Sequence, residues 1–105
     1  MAVQTLPAFT IDGAKGAAFG ASTSNTTLPG SSLNTDSIVV VVNVGSLPVY
    51  VKLGDNTVTA TIGTSALVLA GQTRVFALGS ATYIAGIVSG SNSGQNGIVA
   101  IETGN

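Results

Sequence analysis

The sequence predicts an all-β fold: a small antiparallel β-sandwich or jelly-roll of about seven or eight short strands, with an extended N-terminal segment. Three observations predict it. Apolar and polar residues alternate with period two in several stretches, and none shows the i, i+3, i+4, i+7 spacing of an amphipathic helix. Turn signals, most of them containing glycine, recur at short and even intervals between those stretches. At 105 residues the chain has room for one sandwich and no second core.

Taken in order, residues 13–35 are rich in Ala, Gly, Ser and Thr, with Phe19, Leu28 and Leu33 as the few apolar anchors. A compact domain rarely carries so long a structureless stretch unless it is functional or disordered. The reading is a weak strand over 18–27, a turn at Leu28-Pro29-Gly30, and otherwise an arm. One domain, 1–105, is then divided into an arm-like segment 1–36 and a sandwich core 37–105. Segment 23–30 shares Thr, Ser, Leu and Gly with 64–71 in register, an echo that a Ser/Thr/Gly-rich chain produces by coincidence.

The run Ile38-Val39-Val40-Val41-Val42 reads as a central strand buried on both faces. One face belongs to the core. The other is covered by a second layer of the same domain or by a neighbouring subunit, because such a run left exposed would aggregate. Asp36-Ser37 ahead of it is a turn lead-in or a guarding charge. Gly45-Ser46 then suits a two-residue type II′ hairpin turn. Pro48 has no donor, so its strand starts there or lies at an edge. Val49, Val51 and Leu53 form one face of that strand, with Tyr50 and Lys52 on the other.

Gly54-Asp55-Asn56 is a turn, followed by a strand in which Thr57, Thr59 and Thr61 alternate with Val58, Ala60 and Ile62. Turns follow at Gly63-Thr64-Ser65, Ala70-Gly71-Gln72 and Gly79-Ser80. Between the last two, Arg74, Phe76 and Leu78 share one face, with Thr73, Val75 and Ala77 on the other. The stretch 89–97 is a flexible loop. Ile98 to Ile101 form a last short strand closed by Glu102.

Composition excludes many functions. No His and no Cys means no thiol nucleophile, no disulfide, no haem or zinc ligation by those residues, and no Ser-His or Cys-His relay. The charged residues are Lys15, Lys52, Arg74, Asp12, Asp36, Asp55 and Glu102, spread singly along the chain. Three basic groups cannot neutralise the roughly 6–10 phosphates a DNA-binding module contacts, so no nucleic-acid partner is expected. Asp55 with Asn56 falls far short of the roughly 6–8 oxygens that calcium takes and reads as a turn. No two acids are sequence neighbours that would form a glycosidase pair. A Ser–Lys dyad would need Lys15 or Lys52, and Lys52 reads as a solvated charge.

The glycine-rich loop lacks a phosphate-loop pattern and no helix follows it. The expectation is a non-enzyme with no cofactor, no metal and no small-molecule substrate. The start, Met1 to Pro7, has neither a basic nor an apolar leader region, and the longest aliphatic run is far below the ~18 residues of a membrane span. A cytoplasmic product without membrane association is expected, which leaves the Asn25-Thr26-Thr27 sequon idle. Tyr50 and Tyr83 are half-buried packing residues or, in the rival reading, a sugar-stacking platform.

Several segments carry a resemblance: Asn43-Val44-Gly45-Ser46, 48–54, Val58-Thr59-Ala60-Thr61, 69–76 and 81–87. Over residues 37–88 the chain resembles small virion proteins of tailed bacteriophages that decorate or cement the capsid. The resemblance implies a self-associating β-sandwich or jelly-roll located in the virion. It implies two partners: the major capsid protein and further copies of the chain, as a dimer or trimer. It transfers no individual functional residue. The alternatives are a carbohydrate-binding sandwich of a fibre or spike, and a head-tail or tail component. Candidate interface residues are Phe19, Leu28, Leu33, Val40, Val42, Tyr50 and Tyr83.

Overall fold

A computed structural model describes residues 11–31, 33–89 and 94–105. Eight strands run β1 (Ile11–Phe19), β2 (Ser24–Thr27), β3 (Ile38–Asn43), β4 (Val49–Gly54), β5 (Ala66–Val68), β6 (Thr73–Ala77), β7 (Tyr83–Ile87) and β8 (Gly97–Gly104). They form two four-stranded sheets in the orders β1-β8-β3-β6 and β2-β7-β4-β5, here sheets A and B. Every neighbouring pair is antiparallel. The order is that of a jelly-roll, in which sequence neighbours mostly fall in opposite sheets. Among the described residues no helix is long and apolar enough to cross a membrane.

The faces expected at Val49/Val51 and Arg74/Phe76 turn toward the core. Val39 and Val41 of β3, Val99 and Ile101 of β8 and Phe19 of β1 point inward from sheet A. Val49 and Val51 of β4, Val68 of β5 and Ile84 of β7 meet them from sheet B. Arg74 and Phe76 lie on the inner side of the edge strand β6, while Thr73, Val75 and Ala77 face solvent.

Four expectations are corrected. The arm splits: residues 1–10 lie outside the described residues, but β1 and β2 are strands of opposite sheets and part of the sandwich. Phe19 is the anchor. It is 1% exposed and packs so closely over Gly86 that a Cβ there would overlap its ring. Gly45-Ser46 is not a II′ hairpin, because Gly45 lacks the positive φ that such a turn demands and β3 and β4 belong to different sheets.

Residues 57–62 are not a strand. Their backbone is held by side chains instead: Asn25 Nδ2 donates to Asn56 O (3.1 Å) and Val58 O (3.2 Å), and Ala60 N donates to Thr23 Oγ1 (2.8 Å). The alternation holds as far as Thr61, with Ala60 buried and Thr59 and Thr61 exposed, but Ile62 is exposed too and no ladder is formed. Finally, β3 is central but not buried on both faces. Val39, Val41 and Asn43 are buried, whereas Ile38, Val40 and Val42 are only half covered on the outer side of sheet A.

Candidate interaction surfaces

The polar side chains inside the sandwich are structural. Asn43 Nδ2 donates to Leu47 O (2.7 Å) and Val68 O (2.9 Å), and its Oδ1 accepts from Gly45 N (3.0 Å). It thereby ties the sheet-to-sheet crossing after β3 to β5. Thr103 Oγ1 donates to Pro29 O (2.6 Å), and Ser37 Oγ donates to Asn105 Oδ1 (2.9 Å). Among the described residues every buried side-chain nitrogen or oxygen has a partner, as burial requires. Alternation gave no signal for Asn43, which looks like a strand-end polar residue in the sequence.

Most charges are likewise engaged locally. Lys15 Nζ donates to Thr26 Oγ1 (2.7 Å) and Thr27 O (2.8 Å), bridging β1 and β2. Arg74 donates to Leu67 O (3.1 Å), and its guanidinium carbon stands 5.4 Å from the centroid of the Phe76 ring. Asp12 accepts from Ser31 N (2.6 Å). Asp55 accepts from the Thr57 hydroxyl (2.6 Å) and amide (2.8 Å), and these two donors hold its carboxyl below the ordinary value of 3.8. Each arrangement stabilises a turn or an edge. Among the described residues no group of three or more acidic, His or Cys side chains stands together as a metal site.

A cavity of about 390 Å³ opens at one end of the sandwich. Leu28, Leu33 and Leu78 supply apolar walls, and Asn34, Thr35 and Thr82 supply neutral polar groups. Among the described residues that line it there is no charged side chain and no aromatic ring.

The two outer sheet faces differ. On sheet A the outward residues of β1 are Ala14, Gly16 and Ala18, and those of β3 are Ile38, Val40 and Val42. Between them β8 presents Ile98, Ala100 and Glu102, while β6 adds Thr73, Val75 and Ala77. Val75 is 59% exposed, and Ile98, beside Gly45, is 41% exposed. Glu102 is the one charge in this set; it stands in the row Ala14–Glu102–Val40–Val75.

Sheet B is partly roofed. The segment after β4, held by Asn25 and Thr23, lies against its β2 side, and a Cβ at Gly54 would press into Val58. Lys52 is exposed, although its neighbour Ala85 on β7 is buried, and two residues back along β4 Tyr50 is partly exposed with its cross-strand neighbours Ile87 on β7 and Leu67 on β5.

The expected interface residues therefore divide by location. Phe19 and Leu28 are buried in this chain's own core. Leu28 also borders the end cavity with Leu33. Val40 and Val42 lie on the outer face of sheet A, and Tyr50 and Tyr83 on that of sheet B. The tyrosines do not share one platform. Tyr50 pairs with Ile87 and Tyr83 with Gly54, four residues apart along β4, or about 13 Å.

No protein-family model matches the sequence, and comparison with curated proteins gives no match. Among solved structures the chain is similar in fold to one from Bacillus endospore appendages, described as a novel family of disulfide-linked pili. The TM-score is 0.54 at 14% identity, covering 98% of this chain and 94% of that one. At that identity the likeness establishes a shared β architecture.

Proposed function

We propose that this chain is a non-enzymatic structural subunit that works by self-association into a larger coat or polymer. The observation that carries the reading is the outer face of sheet A, a four-stranded, mostly apolar surface that carries one charge and leaves Val75 and Ile98 exposed among the described residues. A face of four strands and three outward residues each spans about 400 Å², within the range of functional patches on monomers. A likeness in fold to a pilus component supports the reading, since that protein forms an endospore appendage. These 105 residues contain no cysteine, so they contribute no disulfide to the assembly. The test is sedimentation velocity over a wide concentration range, with negative-stain microscopy of the heaviest fraction. Concentration-dependent, ordered assemblies are expected; a chain that stays monomeric throughout refutes the reading.

The finer setting is the surface of a phage head, where copies would also contact the major capsid protein. The resemblance of residues 37–88 to capsid decoration and cement proteins supports it. Particles lacking the protein should then rupture at milder heating or osmotic shock. Quantitative mass spectrometry should find hundreds of copies per particle. Unchanged rupture, or a dozen copies, removes the cementing role. The fold neighbour favours a rival setting on an extracellular appendage, which labelling of intact particles and cells with an antibody against the chain distinguishes.

A further inference from the structure

We infer that successive copies stack face to face in one sense only, the outer face of sheet A of one copy against the outer face of sheet B of the next. The inference rests on the self-association just proposed and names its surfaces. Glu102 is the one charged strand residue on the first face and Lys52 the one on the second. Neither has a salt-bridge or hydrogen-bond partner among the described residues, unlike Lys15, Arg74, Asp12 and Asp55.

Charge decides the pairing. An A-to-A stack brings two Glu102 carboxylates into one apolar contact, and a B-to-B stack does the same with two Lys52 ammonium groups. Like charges in a desolvated interface oppose binding, whereas an A-to-B stack neutralises both. Shape agrees. Ala14, Gly16, Ala18 and Ala100 make a low strip beside the bulkier Val40 and Val42, and the half-exposed Tyr50 ring of sheet B is the large group available to fill it.

Area then sets the form of the assembly. A single face of about 400 Å² is half of the roughly 800 Å² per partner in a standard stable interface. One contact is therefore weak, and a copy engaged on both faces buries about twice as much. Because the two surfaces differ, the contact is heterologous and extends into a ring or an open filament rather than closing as a dimer.

The test uses the intact chain and charge reversal. Glu102→Lys and Lys52→Glu should each weaken self-association about tenfold or more in sedimentation velocity. The double reversal, or an equimolar mixture of the two single variants, should restore it. Far-UV circular dichroism confirms that each variant is folded. In a cysteine-free background, Glu102→Cys and Lys52→Cys chains mixed under mild oxidation should cross-link preferentially to each other rather than to themselves. Wild-type assembly unaffected by either reversal, or cross-linking of like variants only, overturns the stacking while leaving self-association standing. A wild-type chain that never assembles overturns both.

Discussion

Whether residues 11–36 belong to the fold or hang from it can be decided at one contact. Phe19 is fully buried, and Gly86 on β7 of the opposite sheet is the surface its ring rests on. Replacing a buried Phe by Ala costs about 3–5 kcal/mol, and Phe19→Ala should fall in that range. A chain of this length is stable by about 5–15 kcal/mol, so the variant stays folded but much weakened. With a urea m-value of about 2 kcal/mol/M, the midpoint should move down by about 2 M at constant m. Gly86→Ala should cost about 1–3 kcal/mol in the wild-type background, because the new methyl group overlaps the ring.

The double variant carries the decisive information. With the ring gone, the methyl group introduced by Gly86→Ala enters the space it vacated, so the second substitution costs little or is favourable. The coupling energy should be about 1–3 kcal/mol, well beyond the ~0.5 kcal/mol scatter of independent sites. Additive effects, or a Phe19→Ala midpoint shift of less than about 0.5 M, would refute the integration of β1 into the sandwich.

Three further outcomes follow from the hydrogen-bonding pattern. Asn43→Ala removes three hydrogen bonds and leaves buried backbone groups unpaired, so a loss of about 2–4 kcal/mol is expected in the same urea titration. Asn25→Ala should free the segment after β4, raising amide hydrogen exchange at Ala60 and its neighbours while lowering global stability by about 1 kcal/mol or less. The lowered carboxyl value of Asp55 favours the folded state above the ordinary value of 3.8 and loses that contribution as pH falls through the depressed one. Exchange at the Thr57 amide should therefore rise at acid pH in the wild type. After correction for intrinsic exchange it should be pH-insensitive in Asp55→Asn, whose Oδ1 still accepts, and high at every pH in Asp55→Ala.

Face assignment was legible in the sequence wherever a strand alternates strongly. Val49 and Val51, and Arg74 and Phe76, point inward as their period-two spacing requires, whereas the unbroken run Ile38–Val42 gave no sign of which face is covered. Pairing was not legible, because a jelly-roll joins β1 to β8 and β2 to β7 across most of the chain, and local turn chemistry says nothing about partners so remote. β1 was hidden for a different reason. Its outward residues are Ala14, Gly16 and Ala18, so the contrast with the inward Ala17 is too small to register as alternation. Thr57 to Ile62 fails in the opposite direction: the pattern is strong, but Asn25 and Thr23 supply the hydrogen bonds that a ladder would have made. For the interaction surfaces, the valine run pointed to an uncovered face. That Glu102 and Lys52 stand on the outer faces of different sheets needed the register.

The scarcity of charge, 7% of residues against roughly 25% in an average domain, acquires a physical role in this arrangement. Serine, threonine, asparagine and glycine in the loops keep those surfaces hydrated without adding ions. Four of the seven charges are spent on local bonds that tie edges and turns. An apolar sheet face left with one ion has little to discriminate between partners by sign, so that ion governs which faces can meet. The absence of cysteine sharpens the consequence. A polymer joined by apolar contacts and one ion pair per junction is in equilibrium with its subunits, so dilution should dismantle it and a reducing agent should not. The same weak, repeated contact suits a subunit held in place by many neighbours at once, because no single junction needs to be strong for the whole coat to persist.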